Sequence, residues 1–382
     1  MRFPLKIKKP VSLRRRVTGL QKDVSAVKAS VATLEKSIAT LQKSLDASQK
    51  LSRQTSTNLS KLNDSIAKGV YLKSDYFEVS SELGVFTVRK FRDYFRGHAE
   101  TLEAMLERLK KDTDEKSHEA VDIFVRRVLQ FLPEALPGDA PVLYSMRDLF
   151  TEDEIYPYAS GEAAQKTREF RRRYTVGNLK TFLCPIYYES GLVFVDDAVR
   201  SRIAGGTVID CGAYWGDSAL IFCQYGPAKV FAFEPVERWF NEMSRIIDDN
   251  NLGEVIEPVK LGVSDQAGSA LIKEGDTTSA LTEDAGGTPI ELTTIDDFMA
   301  TRPGPVALVK YDVEGADFHA LRGSEGTIRA HRPILLTSIY HTPEHFFEIK
   351  DYIDSLGLGY RHKIRKLAKS PLVDLMLISW VD

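Results

Sequence analysis

Three charges alternate along one apolar run. They are Lys310, Asp312 and Glu314 in Val306-Ala307-Leu308-Val309-Lys310-Tyr311-Asp312-Val313-Glu314-Gly315-Ala316-Asp317. While that run stays extended the three share one face. A buried strand tolerates such charges mainly where they line a cleft. Close acids and an amine pair with each other, shift each other's proton affinity, and can position or deprotonate a hydroxyl. Gly315 then turns the chain into a helix expected over 317–329. A second apolar run, 334–339, is followed by Tyr340 and His341. It delivers His341 beside the end of the first run, where an imidazole suits a proton acceptor. A purely structural histidine is the plainer alternative.

A different chemistry is written in Val208-Ile209-Asp210-Cys211-Gly212-Ala213-Tyr214-Trp215-Gly216-Asp217-Ser218. An apolar strand ends in an acid, two glycines four apart follow, and a helix is expected from Ser218. Glycines let backbone approach a ligand closely, and a helix start offers free N–H groups. The dinucleotide pattern G-x-G-x-x-G is absent. D-C-G-x-x-x-G suits a ligand without pyrophosphate, with S-adenosylmethionine the obvious candidate and an ordinary tight strand–helix turn the alternative. Asp210, Gly212, Ala213, Tyr214 and Gly216 form this cradle. Val230-Phe231-Ala232-Phe233-Glu234-Pro235 places an acid 18 residues after Gly216. A carboxylate there can accept hydrogen bonds from two ribose hydroxyls, and Pro235 stops the strand. Asp265, after a third strand, either approaches an adenine amino group or is a plain turn residue.

Positioning these residues requires a layered fold. Strands are expected at 207–211, 230–234, 258–263, 306–312, 334–339, 360–367 and 373–380, with helices between the first five. That rhythm is α/β: a doubly wound, mostly parallel sheet closing in an antiparallel hairpin, with ligands beyond the strands' carboxyl ends. Residues 71–190 read as mostly helical, with clear units at 99–111, 120–131 and 163–173 and no catalytic motif. They are expected to form an accessory region that shapes a substrate pocket.

From 17 to 68 a heptad pattern runs without a slip. Val17, Val24, Val31, Ile38 and Leu45 lie on one seam, and Leu20, Val27, Leu34 and Leu41 on the other. This predicts self-association as a coiled-coil dimer or trimer. The first 16 residues hold seven Lys/Arg and no acid, with Phe3, Leu5 and Ile7 interleaved. They could attach to an anionic membrane surface, each basic residue there contributing about 1 kcal/mol. The formal charge of −3 hides a gradient: 15 Lys/Arg against 4 Asp/Glu over 1–70, but 18 against 29 over 191–382. Nucleic-acid grooves need positive charge, so the acidic C-terminal half argues against that partner. Cys184, Cys211 and Cys223 form no C-x-x-C pair, which argues against zinc or a disulfide framework and fits a reducing, cytoplasmic compartment. No apolar run reaches the roughly 18 residues that span a bilayer, and the N-terminus lacks a secretory apolar core.

Four blocks together resemble the FkbM family of S-adenosylmethionine-dependent methyltransferases. They are Val-Ile-Asp-Cys-Gly-Ala at 208–213, Phe-Ala-Phe-Glu-Pro at 231–235, Leu-Thr-Thr-Ile-Asp-Asp-Phe at 292–298, and Val-Lys-Tyr-Asp-Val-Glu-Gly-Ala-Asp at 309–317. The likeness covers roughly 190–380; Tyr311 stands where an aliphatic residue is usual, and Asp317 where a Glu is. The resemblance implies a Rossmann-like class I methyltransferase sheet and O-methyl transfer to sugars, glycans or polyketide-like products. It places S-adenosylmethionine on Asp210, Gly212, Gly216 and Glu234, with the reaction near Lys310, Asp312, Glu314 and His341. His341 or Asp312 would act as base and Lys310 as orienter. No dedicated metal-ligand set is expected, although Asp312 and Glu314 offer hard oxygens suited to magnesium. The domains expected are a basic tail (1–16), a coiled coil (17–70), a helical accessory region (71–190) and a methyltransferase domain (191–382). The function expected is a glycan O-methyltransferase, cytoplasmic or at the inner membrane face. The alternatives are a natural-product O-methyltransferase and a non-catalytic coiled-coil scaffold.

Overall fold

The computed structural model describes residues 76–79, 82–130, 142–145, 151–177, 183–274, 279–282, 286–302, 304–368 and 374–382. The expected basic tail and coiled coil lie outside these residues.

The described chain opens with an antiparallel pair, β1 (Tyr76–Val79) and β2 (Val142–Ser145). Around it come the helices α1 (Glu82–Gly97), α2 (Leu102–Lys110), α3 (Glu115–Gln130), α4 (Glu152–Ala159), α5 (Glu162–Arg173) and α6 (Leu183–Tyr188). The sheet follows: β3 (Thr207–Cys211), α7 (Asp217–Phe222), β4 (Lys229–Phe233), α8 (Glu237–Asp249) and β5 (Ile256–Val259). Next are the short strands β6 (Gly262–Val263), β7 (Gly268–Glu274), β8 (Ser279–Thr282) and β9 (Thr288–Thr293), then α9 (Ile295–Met299). The chain finishes with β10 (Val306–Tyr311), α10 (Asp317–Arg322), α11 (Glu325–His331), β11 (Ile334–Ser338), α12 (Pro343–Ser355), β12 (Arg361–Lys366) and β13 (Leu375–Trp380).

Seven strands form the main sheet in the order β12-β13-β11-β10-β3-β4-β5. The five from β11 to β5 run parallel, while β13 is antiparallel to both β11 and β12. This is the expected Rossmann-like sheet with its closing hairpin. The chain leaves β3 toward β4 and β5 on one side, then crosses back to β10 and β11 on the other. The β3–β10 junction is therefore the topological switch point, where the carboxyl ends of two neighbouring strands open a crevice.

Both faces of the sheet are covered, so its central strands are almost continuously apolar. Alternate residues feed two cores. Ile209, Phe231, Val309, Tyr311 and Leu335 pack on one side; Val208, Val230, Ala232, Leu308 and Leu336 pack on the other with Trp215, Phe222 and Trp239. The first core also takes in α1 and α3. Phe91 and Phe124 meet Phe346 of α12 with ring centroids 5.7 and 5.3 Å apart. The buried Arg127 guanidinium of α3 makes two hydrogen bonds to Glu154 of α4, 2.8 and 2.7 Å. The helical segment thus shares its core with the sheet.

Four details depart from the sequence expectation, the first being α12, which fills a stretch between β11 and β12 where no helix was expected. The expected third strand divides: β5 ends at Val259, and β6 joins a separate four-stranded sheet, β6-β9-β7-β8. Pro258 has no N–H to offer a further neighbour, which suits β5 as an edge strand. Between β5 and β10 that small sheet and the short α9 replace the single helix expected. The expected helix over 317–329 is two helices broken at Gly323, where an added Cβ would lie 2.1 Å from the Ser264 carbonyl oxygen.

A candidate active site at the switch point

The glycine loop leaves β3 directly beneath the end of β10. Gly212 has φ +79°, and a Cβ there would fall 1.9 Å from the Asp312 carbonyl oxygen. Only glycine fits a left-handed turn pressed against another backbone. The N–H groups of Gly212 and Ala213 both donate to the Phe233 carbonyl, 3.1 and 2.9 Å, holding the loop to the end of β4. Gly216, at φ +92°, passes beside Met243 of α8.

Lys310 ties the loop to β10. Its buried Nζ donates to the Gly212 carbonyl (3.0 Å) and lies 3.2 Å from Asp210 Oδ1 and 3.7 Å from Asp312 Oδ2. Burial opposes the ammonium charge, yet Asp210, Asp312 and Asp217 raise its pKa and keep it protonated. The second Asp210 oxygen accepts a hydrogen bond from Ser218 Oγ (2.6 Å), a partner the sequence reading did not single out. Asp217 itself is pushed up to about 7 by burial.

Glu234 ends β4 on the other side of the loop. Its carboxylate accepts the N–H of Tyr214 (3.0 Å) and of Val236 (2.9 Å). Burial still lifts it to about 7 against those two donors. Two backbone donors leave lone pairs on the carboxylate that adjacent hydroxyls on a ligand would fill. Pro235 lies between Glu234 and Val236, half-buried, and the Tyr214 ring packs on Trp239 at 4.1 Å. Asp265 sits after β6, where its carboxylate meets His319 (3.1 Å) and Arg322 (3.8 Å) of α10. His319 holds its pKa down.

The remaining residues gather where β10 and β11 end. Asp312 Oδ1 accepts the Ser338 hydroxyl at 2.8 Å. His341 Nε2 points between Asp312 Oδ1 (3.7 Å) and Glu314 Oε2 (3.5 Å). Its Nδ1 donates to Asp317 Oδ2 at 2.8 Å. Asp317 is fully buried and also accepts the N–H of Val313 (2.9 Å) and of Gly315 (3.1 Å). Burial opposes a charge on His341, but Asp317, Glu314 and Asp312 push its pKa up to about 10. Burial pushes Glu314 up to about 7. Glu314 holds the left-handed φ of +53°, a conformation that costs a residue with a Cβ roughly 1–2 kcal/mol.

The structure thus joins Asp210, Gly212, Lys310 and Asp312 in one network, with Glu314 and His341 beside it and Tyr214 linked to Glu234. Asp265 is engaged with α10. Asp317 was absent from the candidate set; its single sequence signal is an acid two residues past the turn glycine. The 292–298 block is architectural. Thr294 caps α9, and Asp296 accepts the N–H of Gly326 (2.8 Å) and Thr327 (2.7 Å) on α11. Two surface clefts, about 190 Å³ beside Lys166 and Glu189 and about 490 Å³ between α2 and α3, share no residue with this site.

Comparison with known proteins agrees with this layout. Residues 210–361 match the family model for the methyltransferase FkbM domain. No curated protein matches the chain. Among solved structures, the FkbM methyltransferase from Methylobacillus flagellatus KT is 17% identical with a TM-score of 0.49, covering 76% of this chain and 62% of its own. This chain therefore spans less than two thirds of that protein's length. An O-methyltransferase from Bacillus cereus in complex with SAH is 10% identical, TM-score 0.38, covering 62% of this chain and all of its own. A putative rRNA methylase from Clostridium thermocellum is 11% identical, TM-score 0.34, over 48% of this chain and 90% of its own. Residues 210–361 carry the methyltransferase FkbM domain.

Proposed function

We propose that this protein transfers a methyl group from S-adenosylmethionine to a hydroxyl of a sugar or glycan. One observation carries the reading. The switch point brings a glycine loop, a buried carboxylate and a histidine–carboxylate cluster to the ends of adjacent strands. The loop and Glu234 fit a nucleoside: Gly212 and Gly216 let the loop turn tightly against Asp312 and Met243, and the Glu234 carboxylate can accept the hydroxyls that a ribose offers. When bound, the cofactor supplies an electrophilic sulfonium methyl. Asp210, Gly212, Ala213, Tyr214, Gly216, Glu234 and Pro235 would hold it.

The protein's own contribution is positioning and proton handling, each a recognised source of rate. Lys310 and Ser338 fix Asp312, while Asp317 fixes His341. An acceptor hydroxyl meeting Asp312 gives up its proton to that carboxylate, with the cationic His341 beside it. Lys310 braces the loop and Asp312 together, rather than reaching toward the acceptor alone. Self-association through 17–68 and attachment of 1–16 to an anionic membrane surface belong to the same proposal. Among the described residues no helix is long and apolar enough to cross a membrane.

The test is a methyl-transfer screen against cell-envelope glycan extracts and aglycone acceptors, read as a methyl mass increment. Glu234→Ala should abolish cofactor binding by calorimetry. Binding without transfer to any acceptor would favour the scaffold reading, and transfer to aglycones alone would favour natural-product methylation.

A further inference from the structure

We infer that Asp312, Glu314 and Nε2 of His341 form a binding site for an octahedral divalent cation of the Mg2+ or Mn2+ kind, with Asp317 as the carboxylate that orients the histidine. The inference deepens the methyl-transfer reading only in giving the acceptor oxygen a place to bind. The site itself stands on geometry.

The His341 side chain is 7% exposed, and its Nε2 makes no hydrogen bond. That nitrogen is held only by ion-pair contacts too long for hydrogen bonds, a weak arrangement for a buried polar atom. Two carboxylate oxygens from different residues face that nitrogen, at 3.5 and 3.7 Å. Neighbouring ligands of an ion with bonds of about 2.1 Å sit about 3 Å apart. Each oxygen has to close on Nε2 by about half an ångström, and the two carboxylates have to close on each other as well, because the ligand atoms already gathered are those of Asp312, Asp317 and His341. Asp312 divides its oxygens suitably. Oδ2 faces Lys310, while Oδ1, which accepts the Ser338 hydroxyl through one lone pair, lies on the His341 side, so the ammonium and the ion lie at opposite ends of one carboxylate.

Asp317 is the nearest other acid, but it is not free to ligate. Both its oxygens already accept backbone N–H groups, and Oδ2 also takes His341 Nδ1–H. That bond occupies Nδ1, so Nε2 is the nitrogen that can coordinate, giving up its proton as the ion binds. Two carboxylates and one imidazole suit a hard or borderline divalent ion. Three protein ligands leave positions open for water or for the oxygens of a hydroxylated acceptor. Asp374 adds a further carboxyl group to the surroundings of Glu314.

The test titrates Mn2+ alone into the full chain and follows the free-ion paramagnetic resonance signal. One ion per chain is expected. Glu314→Gln and His341→Gln should each weaken binding at least tenfold, and Asp317→Asn by about 10–100-fold. Circular dichroism checks that each variant folds; Glu314, partly exposed, carries the test if the buried changes do not. Absence of binding at millimolar Mn2+, or equal binding by Glu314→Gln and wild type, overturns the site. Methyl transfer that persists in excess chelator overturns a role for the ion and leaves the methyltransferase reading intact. Ion binding without methyl transfer supports the site and counts against that reading.

Discussion

Replacing Gly212 with alanine tests the contact on which the whole site is hung. The new Cβ meets two separate costs. A left-handed φ of +79° is worth roughly 1–2 kcal/mol against any residue with a Cβ. The Asp312 carbonyl oxygen would stand 1.9 Å away, so strand or loop must give by over an ångström, an overpacking cost of about 1–3 kcal/mol. Gly226 separates the two terms, because it has φ +67° with nothing within 4 Å of its Cβ position. Gly226→Ala carries the conformational term alone. At roughly 3 °C per kcal/mol, Gly212→Ala should melt a further 3–9 °C below Gly226→Ala in scanning calorimetry. It should also lose S-adenosylmethionine binding, because parting the loop from Asp312 breaks the Lys310–Gly212 hydrogen bond. Equal melting temperatures with unchanged cofactor affinity would refute the claim that loop and strand end are pressed together.

Three further expectations are independent of that one. Burial holds Glu234 near 7, and a ligand that donates hydroxyls to it favours the charged form. The bound pKa then lies below the free one. Affinity should rise with pH toward about 7 and level off above it, with proton release at pH 6.5 detectable by calorimetry in buffers of different ionisation enthalpy; Glu234→Gln should flatten the dependence. Lys310→Met leaves Asp210 and Asp312 without their cation and should cost about 3–5 kcal/mol in chemical denaturation; a stable variant with full cofactor affinity would contradict the bracing role. Glu154→Ala removes the carboxylate that faces the buried Arg127 and Lys366 and should cost a similar 3–5 kcal/mol, while pairing Arg127→Met with Glu154→Leu should recover part of it; a double variant worse than the single would show that the pair itself stabilises.

What the sequence disclosed is what short-range pattern encodes. Asp210, Glu234 and Asp312 were readable because each is a charge set at the end of an apolar run, where a parallel sheet places its crevice. Asp317 was not, because its role depends on His341, 24 residues later and on another strand. The break at Gly323 was hidden for the same reason, since the obstacle is the backbone of Ser264, far back in the chain. The four-stranded sheet is built from strands as short as two residues, too brief for a period to show. The start of α12 carried a local signal that the sequence reading passed over: Thr342 accepts the N–H of His345, and Pro343 occupies the first turn. Phe346 and Phe347 behind it supply much of the core that α1 and α3 join.

β13 follows every other strand in the chain, yet it lies inside the sheet, between β11 and β12. During synthesis the strands that carry the site emerge well before it. Until residues 375–380 are available, β12 has no neighbour in the sheet and β11 has an open edge. The domain match stops at residue 361, so the unit of sequence likeness is smaller than the unit that folds. A truncation that removes those six residues, remote in sequence from every candidate site residue, should leave an unpaired edge next to the strand end that carries His341 and a chain prone to join its neighbours rather than close on itself.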